Sequence, residues 1–143
     1  MTGTTQTTGT KEEGHMYALV IDDSRTMRSI VRRIITPWGF DVVEAADGQA
    51  ALDVLESGSP LPTVALVDWN MPVMDGLQFV HEVRAREEWR GITLVMVTTE
   101  SEHAQVVRAL AAGAHDYIIK PFTPDAMAEK LTWLGLIPAE ATA

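Results

Sequence analysis

Apolar residues along this chain recur with two periods that alternate. Short β-rich runs at 17–21, 40–44, 63–67, 92–97 and 117–119 predict five strands. Helical spacing separates them. Met27, Ile30, Val31, Ile34 and Ile35 fall at i, i+3, i+4, i+7 and i+8, one apolar helix face, with Pro37 and Gly39 to stop it. A second helix starts near Asp47, a good N-cap, buries Ala51, Leu52 and Leu55, and ends before Gly58. A third starts about Gly76 with Phe79, Val80 and Val83 inward, and a fourth carries Val106, Val107 and Leu110 and closes at Gly113. The last opens Thr123-Pro124, cap then proline, and buries Met127, Leu131 and Leu134.

Strict strand–helix alternation predicts an α/β fold, a doubly wound parallel sheet with helices on both faces. Residues 65–67 and 94–97 are apolar at every position, as in strands covered on both sides. Ligands of such sheets gather at the carboxyl ends of the strands. Asp22 and Asp23 end the first run, Asp68 the third, Thr98 and Thr99 the fourth, and Lys120 the fifth. Each has an ordinary explanation alone: a helix-dipole contact, a turn, a solvated lysine. Coincidence at four strand ends makes a chemical site the better reading.

Clustered carboxylates repel unless a hard cation lies among them, and magnesium takes oxygen ligands while keeping waters. One carboxylate is then free to act as a nucleophile toward phosphorus, with Lys120 and Thr98 supporting the equatorial oxygens. An aspartyl phosphate would result.

Composition narrows the alternatives. The 143 residues are one domain's worth, 46% hydrophobic, enough for a core. Without cysteine, disulfides and thiolate chemistry are excluded. A formal charge of −9 disfavours nucleic acid. Apolar runs of about half a dozen residues are too short for a membrane span, and no leader opens the chain, so a cytoplasmic protein is expected. Residues 1–15, with six Thr among the first ten, read as a disordered tail, 16–138 as the domain and 139–143 as a short C-terminal tail. His15, His81, His103 and His115 show no ligand spacing and read as surface or helix residues. Gly76 reads as a turn residue.

Four segments together resemble one family: Val20-Ile21-Asp22-Asp23-Ser24, Asp68-Trp69-Asn70-Met71-Pro72-Val73-Met74-Asp75-Gly76, Val97-Thr98-Thr99-Glu100, and Tyr117-Ile118-Ile119-Lys120-Pro121-Phe122. Their order and separations resemble the bacterial two-component response-regulator receiver domain, in its stand-alone, CheY-like chemotaxis form, over about residues 17–137. That resemblance implies a flavodoxin-like sheet in the order 2-1-3-4-5, an order for which this regulator type is itself a standard example. It implies Asp68 as phosphoacceptor, Asp23 as Mg2+ ligand, Asp22 holding a metal-bound water, and the Asn70 backbone carbonyl as a further ligand. Thr98 would be the switch hydroxyl, Lys120 its ion partner and Tyr117 the aromatic switch. Asn70 and Glu100 would tune autodephosphorylation, and the Lys120-Pro121 bond is expected to be cis. Thr99 departs from the small residue usual there.

The implied partners are a sensor histidine kinase and a downstream protein, with a flagellar-motor switch protein as leading candidate. The chain ends soon after the last predicted helix, so output by protein contact from a monomer is expected. A stand-alone receiver acting on kinases or as a phosphate sink is the alternative. A phosphohydrolase of haloacid-dehalogenase type would need an acid at Asn70, and a flavin or nucleotide module would need a phosphate cradle after the first strand.

Overall fold

In the computed structural model, residues 16–57, 60–99 and 104–139 are described. Five strands, β1 (Met16–Ile21), β2 (Phe40–Ala45), β3 (Val64–Asp68), β4 (Thr93–Thr99) and β5 (Asp116–Lys120), form one sheet in the order β2-β1-β3-β4-β5. All four pairings are parallel. The connecting helices are α1 (Arg25–Ile35), α2 (Gly48–Glu56), α3 (Gly76–Arg84), α4 (Val106–Ala112) and α5 (Pro124–Trp133). The expected fold class and strand order are both found.

Alternation along the strands sorts the core into two halves. Leu19, Ile21, Ala65, Val67, Leu94 and Met96 pack with Leu52 and Leu55 of α2, Phe79, Val80 and Val83 of α3, and Ala109 of α4. Ala18, Val20, Leu66, Val95 and Val97 pack on the other side with Val31 and Ile35 of α1 and Met127 and Leu131 of α5. Helix starts follow their caps. Ser24, Asp47, Asp75 and Thr123 each accept a backbone N–H from their own first turn, and Asp75 and Gln78 close a capping box. Helix α4 has no side-chain cap.

The fourth helix departs from its predicted face. Val106 and Ala109 are buried, whereas Val107 is 69% exposed and Leu110 38%. Seven residues give a stripe only two positions wide, and alanine, a weak sequence signal, supplies one of them. Ile30 on α1 is likewise exposed, and Leu134 lies just beyond α5, half-buried. Residues 1–15, read as a tail and holding His15, lie outside the described residues, as do Gly58, His103 and residues 140–143. No helix among the described residues is long and apolar enough to cross a membrane.

At the amino-terminal edge of the sheet, one arginine gathers loose chain. Arg84 donates from Nε to the Gly113 carbonyl at 3.0 Å and from Nη2 to the Ile92 carbonyl at 2.8 Å. Weaker bonds run from Nη1 to the carbonyls of Trp89 and Arg90. Its Nη2 also lies 3.3 Å from His115 Nδ1, and that nitrogen accepts the Leu94 N–H at 3.1 Å. His115 is exposed, as its sequence reading expected, yet its Nδ1 meets both Arg84 and the Leu94 N–H. Accepting at Nδ1 fixes its neutral tautomer, and burial, then the Arg84 charge, push its pKa below the ordinary 6.5.

The unfolded chain binds that proton more readily, so the stability His115 contributes is present above about pH 6.5 and lost as pH falls below it. His115→Asn keeps an acceptor without titrating. Denaturant unfolding at pH 7.5 and 5.5 should show a larger loss for the native sequence than for this variant. Equal losses would remove His115 from the pH dependence.

Candidate functional site

Register brings the strand-end residues together. Ile21 pairs with Val67, so Asp22 and Asp68 follow side by side where β1 and β3 end, and Asp68 pairs with Val97, one residue before Thr98. Thr99 pairs with Lys120. This β1–β3 junction is where strand order reverses, the point at which ligands of such sheets are expected to bind.

Carboxylate oxygens of Asp22, Asp23 and Asp68 all lie within 4.8 Å of one another. Asp22 and Asp68 are buried and Asp23 is exposed. Lys120 Nζ donates to Asp68 Oδ1 at 3.0 Å and to Asp22 Oδ2 at 3.3 Å. The peptide between Lys120 and Pro121 is cis. Thr98 is fully buried, and its hydroxyl donates to the Thr99 carbonyl at 3.3 Å. Asn70 is exposed just beyond β3, and Tyr117 is half-buried on β5. Glu100 lies outside the described residues.

The charges do not balance: three carboxylates face one ammonium. Burial pushes the Asp68 pKa up to about 6; the Lys120 hydrogen bond opposes the rise, and the charges of Asp22 and Asp23 add to it. Burial works against the Lys120 ammonium, but the Asp68 hydrogen bond and the two carboxylate charges outweigh it and hold its pKa above the ordinary value. An all-oxygen cluster with surplus negative charge and one exposed member suits a hard divalent cation that keeps some water.

Close packing explains Gly76, which needs room rather than a turn. As the first residue of α3 it donates its N–H to the Trp69 carbonyl at 2.9 Å, and an added Cβ would lie 2.6 Å from the Asp68 carbonyl oxygen. Val73, in the same loop, has φ 72° and is 79% exposed, an uncommon conformation for a β-branched side chain.

Sequence reasoning missed Arg28 and Glu44. Arg28 Nη1 donates to the Asp22 carbonyl at 2.7 Å and Nε to Glu44 Oε1 at 2.9 Å. Arg28 reads as one more polar position on α1, and only the β1–β2 pairing brings Glu44 to it.

A sequence profile of the response regulator receiver domain matches residues 18–132. The chain belongs to the response-regulator receiver family. This receiver is 46% identical over 117 residues to the chemotaxis protein CheY homolog of Campylobacter jejuni, covering 81% of this chain and 89% of that one. It is 44% identical to chemotaxis protein CheY1 of Helicobacter pylori, over 81% and 94% of the two chains. Among solved structures, chemotaxis response regulator CheY4 of Vibrio cholerae superposes with a TM-score of 0.77 at 32% identity, covering 84% of this receiver and 98% of that chain. The receiver domain of a Pseudomonas aeruginosa sensor histidine kinase, solved with a magnesium ion in its active site cleft, matches at TM-score 0.74 and 26% identity over 85% and 98%. The receiver is thus a CheY-like member of a phosphoacceptor-switch family.

Ionised Asp68 is unfavourable when no cation is bound. Because its folded pKa, about 6, exceeds the ordinary 3.8, the associated stability is present below pH 3.8 and lost as pH rises through about 6. In chelator at pH 7.5, Asp68→Asn should therefore stabilise the protein by about 1–2 kcal/mol, a gain that vanishes near pH 4. Denaturant melts at the two pH values check this; a variant less stable at pH 7.5 would contradict it.

Proposed function

We propose that this receiver is a cytoplasmic, magnesium-dependent phospho-switch of the chemotaxis type, loaded on Asp68 by a sensor histidine kinase. The observation that carries the reading is the convergence of Asp22, Asp23, Asp68 and Lys120 at one strand rim, with carboxylate oxygens within 4.8 Å and Lys120 bonded to two of them. The domain is taken as 16–138, with a Thr-rich tail at 1–15 and a short tail at 139–143.

Asp23, Asp68 and the Asn70 backbone carbonyl would hold Mg2+, with Asp22 orienting a coordinated water. Bound there, the ion would offset carboxylate repulsion and draw charge from the transferring oxygens. An Asp68 carboxylate oxygen attacks phosphorus, the P–N bond to the donor histidine breaks as the P–O bond forms, and the imidazole leaves neutral after taking a proton. Lys120, already against Asp68, stays with the phosphoryl oxygens, and the Thr98 hydroxyl donates to one of them. Hydrolysis restores Asp68, with Asn70 and Glu100 positioning the attacking water.

Output runs from Thr98 to Tyr117. As Thr98 turns toward the phosphoryl group, Tyr117 fills the space behind it and alters the face made by α4, β5 and α5. Supporting this, Lys130 Nζ lies 4.6 Å from the Tyr117 ring centre, and exposed Val107, Leu110 and Trp133 leave that face rich in apolar surface. An open groove of about 730 Å³ runs along β5 and α5, lined in part by Tyr117, Phe122, Lys130 and Trp133. Such a face suits a protein target, and the kinship to chemotaxis proteins favours a flagellar-motor switch protein.

Acetyl phosphate with Mg2+ should add one phosphoryl group at Asp68, read by intact mass and peptide mapping. Asp68→Asn and excess chelator should each abolish it. An adduct elsewhere, or labelling in chelator, would overturn the assignment.

For output, beryllofluoride should raise affinity for a motor-switch peptide by about 5- to 150-fold, the usual range of coupling between sites. Thr98→Ala and Tyr117→Ala should blunt that gain in titration calorimetry. Equal gains in all three proteins would show that neither residue transmits the signal.

A further inference from the structure

Every polar point of Asp22 is held. Its N–H donates to the Ala45 carbonyl at 3.1 Å, its Oδ1 accepts the Ser24 N–H at 2.8 Å, and its Oδ2 meets Lys120 at 3.3 Å. The fourth point, its carbonyl, accepts from Arg28 Nη1 at 2.7 Å. That carbonyl belongs to the peptide leading into Asp23, so whatever fixes it fixes the direction in which Asp23 leaves the strand.

Arg28 can do this because it is itself fixed. Its side chain is 15% exposed, and its Nε donates to Glu44 Oε1 at 2.9 Å. The second oxygen of Glu44 accepts from Arg32 Nε at 2.7 Å, and Arg32 reaches the Val42 carbonyl as well. Glu44 is thus clamped by two guanidiniums one helical turn apart, and α1 is tied through it to β2. Only Arg28 passes that constraint on to the acid pair. A guanidinium serves because its fork donates in two fixed directions at once, which a lysine ammonium does not.

We infer that Arg28, braced by Glu44, is a positioning residue for the cation site: it sets the Asp22–Asp23 peptide so that the exposed Asp23 carboxylate faces Asp68. This rests on the reading of the acid cluster as a Mg2+ site. Charge and geometry oppose each other here, which makes the role separable. Arg28 is a cation beside a cation site, so deleting its charge alone would tighten Mg2+ binding. Losing the orientation it enforces would weaken binding, and partners behind metal ligands are typically worth 10- to 100-fold in affinity.

The test is Mg2+ titration of the full chain by calorimetry, with denaturant unfolding in parallel. Arg28→Met and Arg28→Lys should each weaken Mg2+ binding about tenfold, the second because it keeps charge and loses the fork. Arg32→Met removes the other Glu44 partner without touching Asp22, and should change affinity less than twofold even where it costs comparable stability. Unchanged or tighter binding by Arg28→Met, native affinity in Arg28→Lys, or equal weakening by Arg32→Met would overturn the inference. Failure of the underlying reading looks different: the native sequence would not bind Mg2+, or Asp23→Asn would bind it as well as the native sequence does.

Discussion

One ammonium group holds the working end of this molecule together. Lys120 reaches from the last residue of β5 to Asp68 on β3 and to Asp22 beyond β1, joining three strands of which β5 is no neighbour to the others. Two buried carboxylates without such a partner would cost several kcal/mol each. With it they are tolerable, and negative charge is left over at the rim. Three carboxylates against one ammonium leave this end two unit charges short of neutrality, the charge of one divalent cation.

The two edges of the sheet are built on opposite plans. At the amino-terminal edge Arg84 satisfies backbone carbonyls from two loops and lies against His115, which itself accepts the Leu94 N–H. At the carboxyl edge the commitment is graded. The Asp22 carboxylate is bonded at both oxygens, that of Asp68 at one, and Asp23 is exposed. Helix α4 carries the same gradation outward, with no side-chain cap and two apolar residues in solvent. With Asp23 exposed and α4 lacking a side-chain cap, the carboxyl edge is where low local stability is expected.

Much of this was legible in the chain. Continuous apolar runs ending in Asp22-Asp23, Asp68, Thr98 and Lys120 gave the strands, and in a parallel sheet all those ends share one rim. The helix starts were legible through their caps, whose signal is local. What escaped depended on partners distant in sequence. Val107 and Leu110 look like core residues until the short α4 is seen to bury Val106 and Ala109 instead. Arg28 needs Glu44, sixteen residues on, and His115 needs Leu94. Gly76 was legible as special but for the wrong reason, since its constraint is proximity to the Asp68 carbonyl and not a turn.

That proximity has a mechanical consequence. With α3 seated so closely on the end of β3, even a methyl group at Gly76 would collide with the Asp68 carbonyl. A larger residue at position 76 would have to push the start of α3 off the end of β3, so the closeness of helix and strand beneath the acid cluster hangs on the absence of a side chain there.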